Sequence, residues 1–189
     1  MPLAADANTL TAANVRIAIT GGVYNAAVGT TLPTLATTAL DAAFTARELG
    51  YLSDAGIVQS IATSTTNITA WQNADVVRKV QTEQDVTYKF DLLETSALTL
   101  ETYYGNYTGT TAQGVSQITG ALMPHFSWIF HVIDGDARIR LVLPDAQVTD
   151  RGDTSMVNGA ALVYPLTLTA YPDTSGVKAY AYLDSDVSA

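Results

Sequence analysis

The chain has 189 residues, a mass of 20.0 kDa, no cysteine, and a formal charge of −9 from eighteen acidic and nine basic residues. That length fits one domain with a substantial core; the missing cysteine excludes a disulfide-stapled scaffold and thiolate metal sites, and the acidic balance disfavours phosphate-neutralising nucleic-acid binding. Only 14% of residues are charged, which is lean for a monomer kept in solution by surface charge, so much of the surface is expected to be covered by neighbours.

Residues 1–14 are small, polar and aperiodic and are expected to form an N-terminal arm. Their opening MPLAADANTL lacks the basic patch and apolar run of a signal peptide, and no stretch has the apolar length of a membrane span. Val15–Ile19 reads as a short strand stopped by Gly21 and Gly22. Residues 23–38, rich in Thr, Ala and Gly, read as a long loop, and loops of that length are commonly functional, which makes this one a candidate inter-subunit contact. ALDAAFTAREL over 39–49 predicts a helix capped by Thr38 and stopped by Gly50, with Leu40 and Phe44 facing inward. Two strands, Gly56–Thr63 and Thr66–Trp71, lead into a ribbon from Val76 to Leu93.

The ribbon carries the clearest signal in the chain. One parity holds Val80, Val86, Tyr88, Phe90 and Leu92; the other holds Lys79, Gln81, Glu83, Asp85, Thr87, Lys89 and Asp91. A period of two marks a half-buried strand, and this one is far longer than the usual five or six residues. It needs a partner along its edges, which points to assembly.

Ser96–Tyr104 predicts a second short helix with Ser96 as cap and Gly105 as stop. Val115–Leu122 is a strand candidate broken by Pro124, and Phe126–Ile133 and Ala137–Leu143 flank Asp134-Gly135, a hairpin turn signal. Residues 145–159 read as a polar connection, Ala160–Ala170 as a strand, and Val177–Leu183 as a last strand within a C-terminal arm, 176–189. Roughly eight strands and two short helices define a mainly β fold, a β sandwich or open barrel in a single domain.

Chemistry-bearing patterns are weak. Asp134-Gly-Asp136 lacks the later ligands of a calcium loop, Arg151-Gly-Asp153 is most simply a turn, and His125 and His131, six residues apart on one strand face, lack further metal ligands. Ser127 and Ser155 have no nucleophile-elbow context, no glycine-rich phosphate loop precedes a helix, and no cofactor motif is present. Asn67-Ile-Thr69 and Asn106-Tyr-Thr108 match a glycan acceptor pattern that needs a secretory context. Glu83, Asp85 and Asp91 share a strand face, as a glycosidase carboxylate pair would; alternating with Lys79 and Lys89 they read better as a solvated sheet face.

The segments GGVYNAAVGTTLP (21–33), TTALDAAFTARELGYLSDAGI (37–57), TTNITAWQ with the VRKVQTEQDVTYKFDLLET ribbon, FSWIFHVIDGDARIRLVLPDAQV and ALVYPLTLTAYPD occur in an order that resembles the major tail tube protein of long-tailed bacteriophages, particularly those of actinobacterial hosts. The resemblance implies a virion structural protein that is not an enzyme. Its β-sandwich subunits would close into hexameric rings, with rings stacked into a hollow tube through which the genome passes without specific binding. It implies partners such as the tape measure, tail terminator and distal tail proteins, synthesis in the host cytoplasm, and no cofactor or membrane. Glu83, Asp85, Thr87 and Asp91 are the expected lining of the bore. The competing reading is a monomeric β-sandwich receptor-binding or decoration module.

Overall fold

In a computed structural model the structure describes residues 15–110 and 113–184. The expected N-terminal arm, 1–14, and the last five residues of the expected C-terminal arm lie outside the described residues.

The elements in chain order are β1 (Thr20–Ala27), α1 (Ala42–Thr45), β2 (Leu52–Thr69), β3 (Val76–Leu92), α2 (Ala97–Tyr104), β4 (Thr108–Thr110), β5 (Gln113–Val115), β6 (His125–Asp134), β7 (Ala137–Arg151), β8 (Tyr164–Tyr171) and β9 (Tyr180–Asp184). All pairings are antiparallel. One seven-stranded sheet runs β1-β6-β7-β8-β3-β2, with β9 added to β7; β4 and β5 form a separate hairpin. The fold is mainly β and does not close into a barrel.

The sheet folds over onto itself. Strand β7 pairs with β9 through 138–142 and with β8 through 145–151, keeping β6 on its other edge. The change of partner falls at Pro144, where the register with β6 shifts between Phe126 and Trp128. Proline removes a ladder donor and is confined to such bulges and edges; Ser127 Oγ donates to the Pro144 carbonyl at 2.6 Å across the irregularity. Strands β3 and β6 are three places apart in the pairing order, about 14 Å in a flat sheet at about 4.8 Å per strand. Yet Tyr88 stacks on Phe130 at 5.0 Å between centroids, Phe90 meets Phe130 at 5.6 Å and Trp128 at 6.0 Å. These rings, with Leu92, Leu143, Leu166 and Leu168, form the main core. A smaller cluster of Ala26, Phe44, Ile129 and Val142 lies on the opposite face of β6, covered by α1 and β9, with Leu40 packed against it.

Several elements differ from expectation for identifiable reasons. Val15–Ile19 is not a strand: β6 ends at Asp134, and among the described residues Ile17 N–H donates to Asp134 Oδ2 at 3.0 Å and Ile19 N–H to the Ile133 carbonyl without forming a ladder. The strand starts later and includes both glycines, because a Cβ on Gly21 would lie 2.1 Å from the His131 carbonyl oxygen; glycine permits that close approach. Residues 23–27 are therefore strand, not loop. The remaining loop is held by its own chain: Arg140, only 3% exposed, donates from Nη1 to the carbonyls of Leu35 (2.9 Å) and Thr38 (2.6 Å).

The helix expected over 39–49 contracts to Ala42–Thr45, capped by Asp41 rather than Thr38, since Asp41 Oδ1 accepts from Ala43 N–H at 2.8 Å. Arg47 and Leu49 instead bond to β1 through Asn25 and Val23. The two strands expected over 56–71 are one, β2. Residues 145–151 are strand, while 160–163 and most of 115–122 are not. Helix α2 matches expectation: Ser96 Oγ accepts from Thr99 N–H at 3.1 Å, and Gly105 closes the end in the left-handed conformation. The 134–137 hairpin also matches, with Gly135 at φ 58°, the conformation a tight turn demands of its first central residue.

Candidate self-assembly surface

Strand β8 pairs only with Thr87–Leu92 of β3, yet β3 begins at Val76. Between Val76 and Asp85 every residue is exposed, and the same holds on β2 from Val58 to Thr69. The result is a two-stranded ribbon extending beyond the body. An isolated two-stranded hairpin is at best marginally stable in water, and its apolar residues Val58, Ile61, Ile68, Val76, Val77 and Val80 face solvent. Strand β2 ends the pairing order, so its outer edge over eighteen residues has no strand partner among the described residues. Natural sheets normally cover or blunt such an edge.

The register assigns the ribbon's faces, because residues directly opposite in an antiparallel pair share a face. Ser64 opposes Glu83 and Thr65 opposes Gln81, leaving Thr82 as an extra residue on β3; a second shift leaves Val77 extra. Each bulge reverses the parity of the residues beyond it. One face carries Lys89, Thr87, Asp85 and Glu83 opposite Val58, Ser60, Ala62 and Ser64, and then Val80 and Arg78 opposite Thr66 and Ile68. The other carries Phe90, Tyr88 and Val86, and then Gln84, Gln81 and Lys79. Glu83, Asp85, Thr87 and Asp91 therefore do share a face, directed away from the core, and Lys89 stays with them. Lys79 and Gln81 do not, which corrects the simple alternation. Alternation alone cannot reveal a bulge, and no residue type in VQTEQ marks one.

Around this face, Ser53 Oγ donates to Asp91 Oδ2 at 3.3 Å, and Lys178 Nζ lies 3.8 Å from Asp85 Oδ1 while donating to the Gln84 carbonyl. The Asp85 carboxylate is half-exposed, so this pair contributes little. The face continues across β8 and β7 through Thr169, Thr167 and Asp150, with Thr149 Oγ1 and Thr169 Oγ1 2.7 Å apart. It is a solvent-facing, hydroxyl-rich sheet surface. Nothing in it aligns two carboxylates across a cleft.

The other candidate residues are occupied structurally. Asp134 holds Ile17, and no group of three metal-ligating side chains occurs among the described residues. Arg151 donates to the Tyr103 carbonyl at 3.4 Å and the Gly152 carbonyl accepts from Tyr103 Oη at 2.7 Å, which ties the Arg-Gly-Asp tripeptide to α2. His125 contacts Asp145 at 2.7 Å and packs on Tyr171. His131 sits opposite Arg140 in the β6–β7 ladder, its Nε2 buried without a partner. Burial, and then the charges of Arg140 and Arg138, hold its pKa below the ordinary 6.5. The fold thus favours the neutral ring, and stability should fall as pH drops below the unfolded value, where only the unfolded chain gains a proton. In His131→Phe that part of the acid limb should be absent from urea midpoints measured between pH 7 and pH 5.

No helix among the described residues is long and apolar enough to cross a membrane.

Taken together, a folded-over sheet, the long open edge of β2, and a ribbon unsupported on both faces define a structural β subunit with surfaces left for association. Residues 8–189 match the family described as phage tail tube protein, and the chain belongs to that family. It is a structural protein of the phage virion and not an enzyme. No curated sequence matches the chain. Among solved structures, it is similar to a chain from the virion of a native gene transfer agent particle, with 12% identity, 77% of this chain and 92% of that chain covered, and a TM-score of 0.40. It is also similar to the crystal structure of an Hcp protein, with 10% identity, 87% and 98% covered, and a TM-score of 0.29.

Proposed function

We propose that the subunit closes into rings, hexameric as the resemblance to long-tailed phages of actinobacterial hosts implies, and that the rings stack into the tail tube through which the genome leaves the virion. The observation that carries this reading is the β2–β3 ribbon with its open edge. Ring closure is a head-to-tail association in which one copy covers an edge the next leaves open, and a neighbour lying against the ribbon's other face would also bury the exposed Ile61 and Val76. A sheet continued from copy to copy through β2 forms a wall with the hydroxyl-rich face on one side. That face is the lining we assign to the bore, with Glu83, Asp85, Thr87 and Asp91 upon it. The loop held by Arg140 and the terminal arms, 1–14 and 176–189, are the assigned ring-to-ring contacts. Tape measure, terminator and distal tail proteins are the assigned partners at the tube's interior and ends.

Function is then geometry and electrostatics. Duplex DNA carries about one negative charge per 1.7 Å of axis. A basic wall would hold phosphates at every step, whereas one on which Glu83, Asp85, Asp91 and Asp150 outnumber Lys89, Arg78 and Lys178 repels them and leaves the duplex free to slide. Concentrated or seeded protein should form filaments of constant width with an axial channel in negative-stain micrographs. Persistent monomers under seeding would contradict the assembly and favour a monomeric recognition module.

The lining assignment has its own test. Replacing Asp85 and Asp91 together with Lys removes no fully buried group, only the half-exposed Asp85–Lys178 pair and the Ser53–Asp91 hydrogen bond, so thermal unfolding of the subunit should shift by no more than about 4 °C, that is about 1 kcal/mol. Phage carrying both changes should release DNA slowly, and the defect should ease as salt rises, since the screening length falls from about 10 Å at 0.1 M to about 3 Å at 1 M. Unaltered release at low salt would remove both residues from the bore.

A further inference from the structure

The turn joining β2 to β3 places Trp71 at the tip of the ribbon, 95% exposed, the most exposed of the large apolar side chains among the described residues. In this turn Asn73 and Ala74 both take positive φ (57° and 56°), and Ala70 N–H donates to the Asp75 carbonyl at 2.8 Å. Behind the indole stand Arg78 and Lys79, the only adjacent basic pair in the chain, directed to opposite faces of the ribbon by the register. The tip is thus an exposed indole with Asp75 in its turn and two cations, Arg78 and Lys79, just behind it on an acidic protein.

A complementary feature lies at the other end of the same strand. Where β2 begins, a cleft of about 390 Å³ opens between the 50–57 segment, the run-in to β1 and the end of β6, walled by Ile19, Leu52, Ile57 and Val132, with exposed Tyr51 at its mouth. Its rim is acidic: Asp54 lines it, and Glu48 and Glu94 line the adjoining hollow beside Tyr51. Glu94 accepts from Tyr51 N–H at 2.9 Å, which fixes that rim. Knob and cleft are separated by the length of β2, roughly 50 Å at about 3.3 Å per residue, so a chain cannot fill its own cleft. A knob at one end of a subunit and a matching cleft at the other make a head-to-tail contact, and because the two lie at opposite ends of β2, copies joined side by side through the β2 edge present them to the copies above and below, where the contact repeats along the tube.

We infer that Trp71 of one copy seats in the 50–57 cleft of the next copy along the tube, with Arg78 and Lys79 against Asp54, Glu48 and Glu94. The inference rests on the tube reading and adds to it a specific socket. Exposed aromatics entering a desolvated pocket, ringed by opposite charges, are the usual anchors of an interface.

The absence of cysteine and the presence of only two tryptophans make a clean test. Trp128 is fully buried in the subunit, so any loss of iodide-quenchable emission on assembly reports Trp71. Gln72→Cys and Asp54→Cys in one chain, assembled and treated with a short bismaleimide, should give a ladder of covalently joined chains, and Gln72→Cys with Ser155→Cys should not. Trp71→Ala should raise the critical concentration for assembly about tenfold or more, and so should Arg78→Glu with Lys79→Glu, the latter partly rescued by Asp54→Lys. If tubes form but Trp71 remains quenchable, or no ladder appears and Trp71→Ala assembles at the wild-type concentration, the socket is wrong and the tube reading stands. If the wild-type chain forms no tubes under any condition, both fall.

Discussion

A chain in which residues 65–82 are replaced by Asn-Gly should fold as the wild-type subunit does and form no filament at any concentration. The replacement joins Ser64 to Glu83, which already face one another in the ladder, and Asn-Gly is a favoured two-residue hairpin turn. The deleted residues are exposed except Ala70, which is half-buried in the turn, and none belongs to either core cluster; the core begins again at Val86. No buried surface is lost, so the thermal midpoint should stay within about 4 °C, the shift expected of about 1 kcal/mol in a chain of this size. What disappears is the outer end of the ribbon: residues 65–69 of the open β2 edge, residues 76–82 of β3, and the exposed Ile68, Trp71, Val76, Val77 and Val80. Thermal melts together with micrographs separate the two effects. A truncated chain that still builds tubes would move the assembly surface elsewhere, and one that fails to fold would show that the ribbon supports the subunit itself.

The opposite pattern is expected of Phe130→Ala. Phe130 has no solvent exposure and lies between Tyr88 and Phe90, two rings from the far side of the folded sheet. Truncation leaves a cavity where the β6 and β3 layers meet, and Phe→Ala in such a setting costs about 3–5 kcal/mol. That corresponds to a fall in midpoint of roughly 6–20 °C. Ile118→Ala, at a position 80% exposed, should change stability by less than about 0.5 kcal/mol. Equal effects from the two substitutions in chemical denaturation would contradict the folded-over arrangement of the sheet.

The parts of the fold visible in the sequence are those set by local chemistry. Ser96 and Gly105 bound α2 because a hydroxyl cap and a left-handed glycine act within one turn; Gly135 positions the β6–β7 hairpin for the same reason; and Val86, Tyr88, Phe90 and Leu92 alternate because one face of β3 is buried. The parts not visible depend on distant partners. Gly21 and Gly22 look like breakers until the His131 carbonyl lies against Gly21. Residues 145–151 are polar enough to pass for a connection, yet β8 gives them a ladder. The helical composition of 39–49 is overridden once Arg47 and Leu49 bond to β1. In the assembly surface, the shared face of Glu83, Asp85 and Thr87 follows from the period of two, whereas the displacement of Lys79 follows from a bulge at Thr82 that only the β2 register reveals. Trp71 reads as the end of a strand, and its place at the tip of the ribbon depends on how far β2 and β3 outrun β8.

The central claim is that the outer edge of β2 lacks a partner in the single subunit and gains one when copies join. Hydrogen exchange at the amides of residues 57–69 tests this most directly. Alternate amides of β2 point away from β3 and should exchange rapidly in the dispersed subunit, then become protected by several orders of magnitude in assembled material, while Trp128 and Leu168 remain protected in both. Equal exchange along β2 before and after assembly, or full protection already in the dispersed chain, would contradict the account.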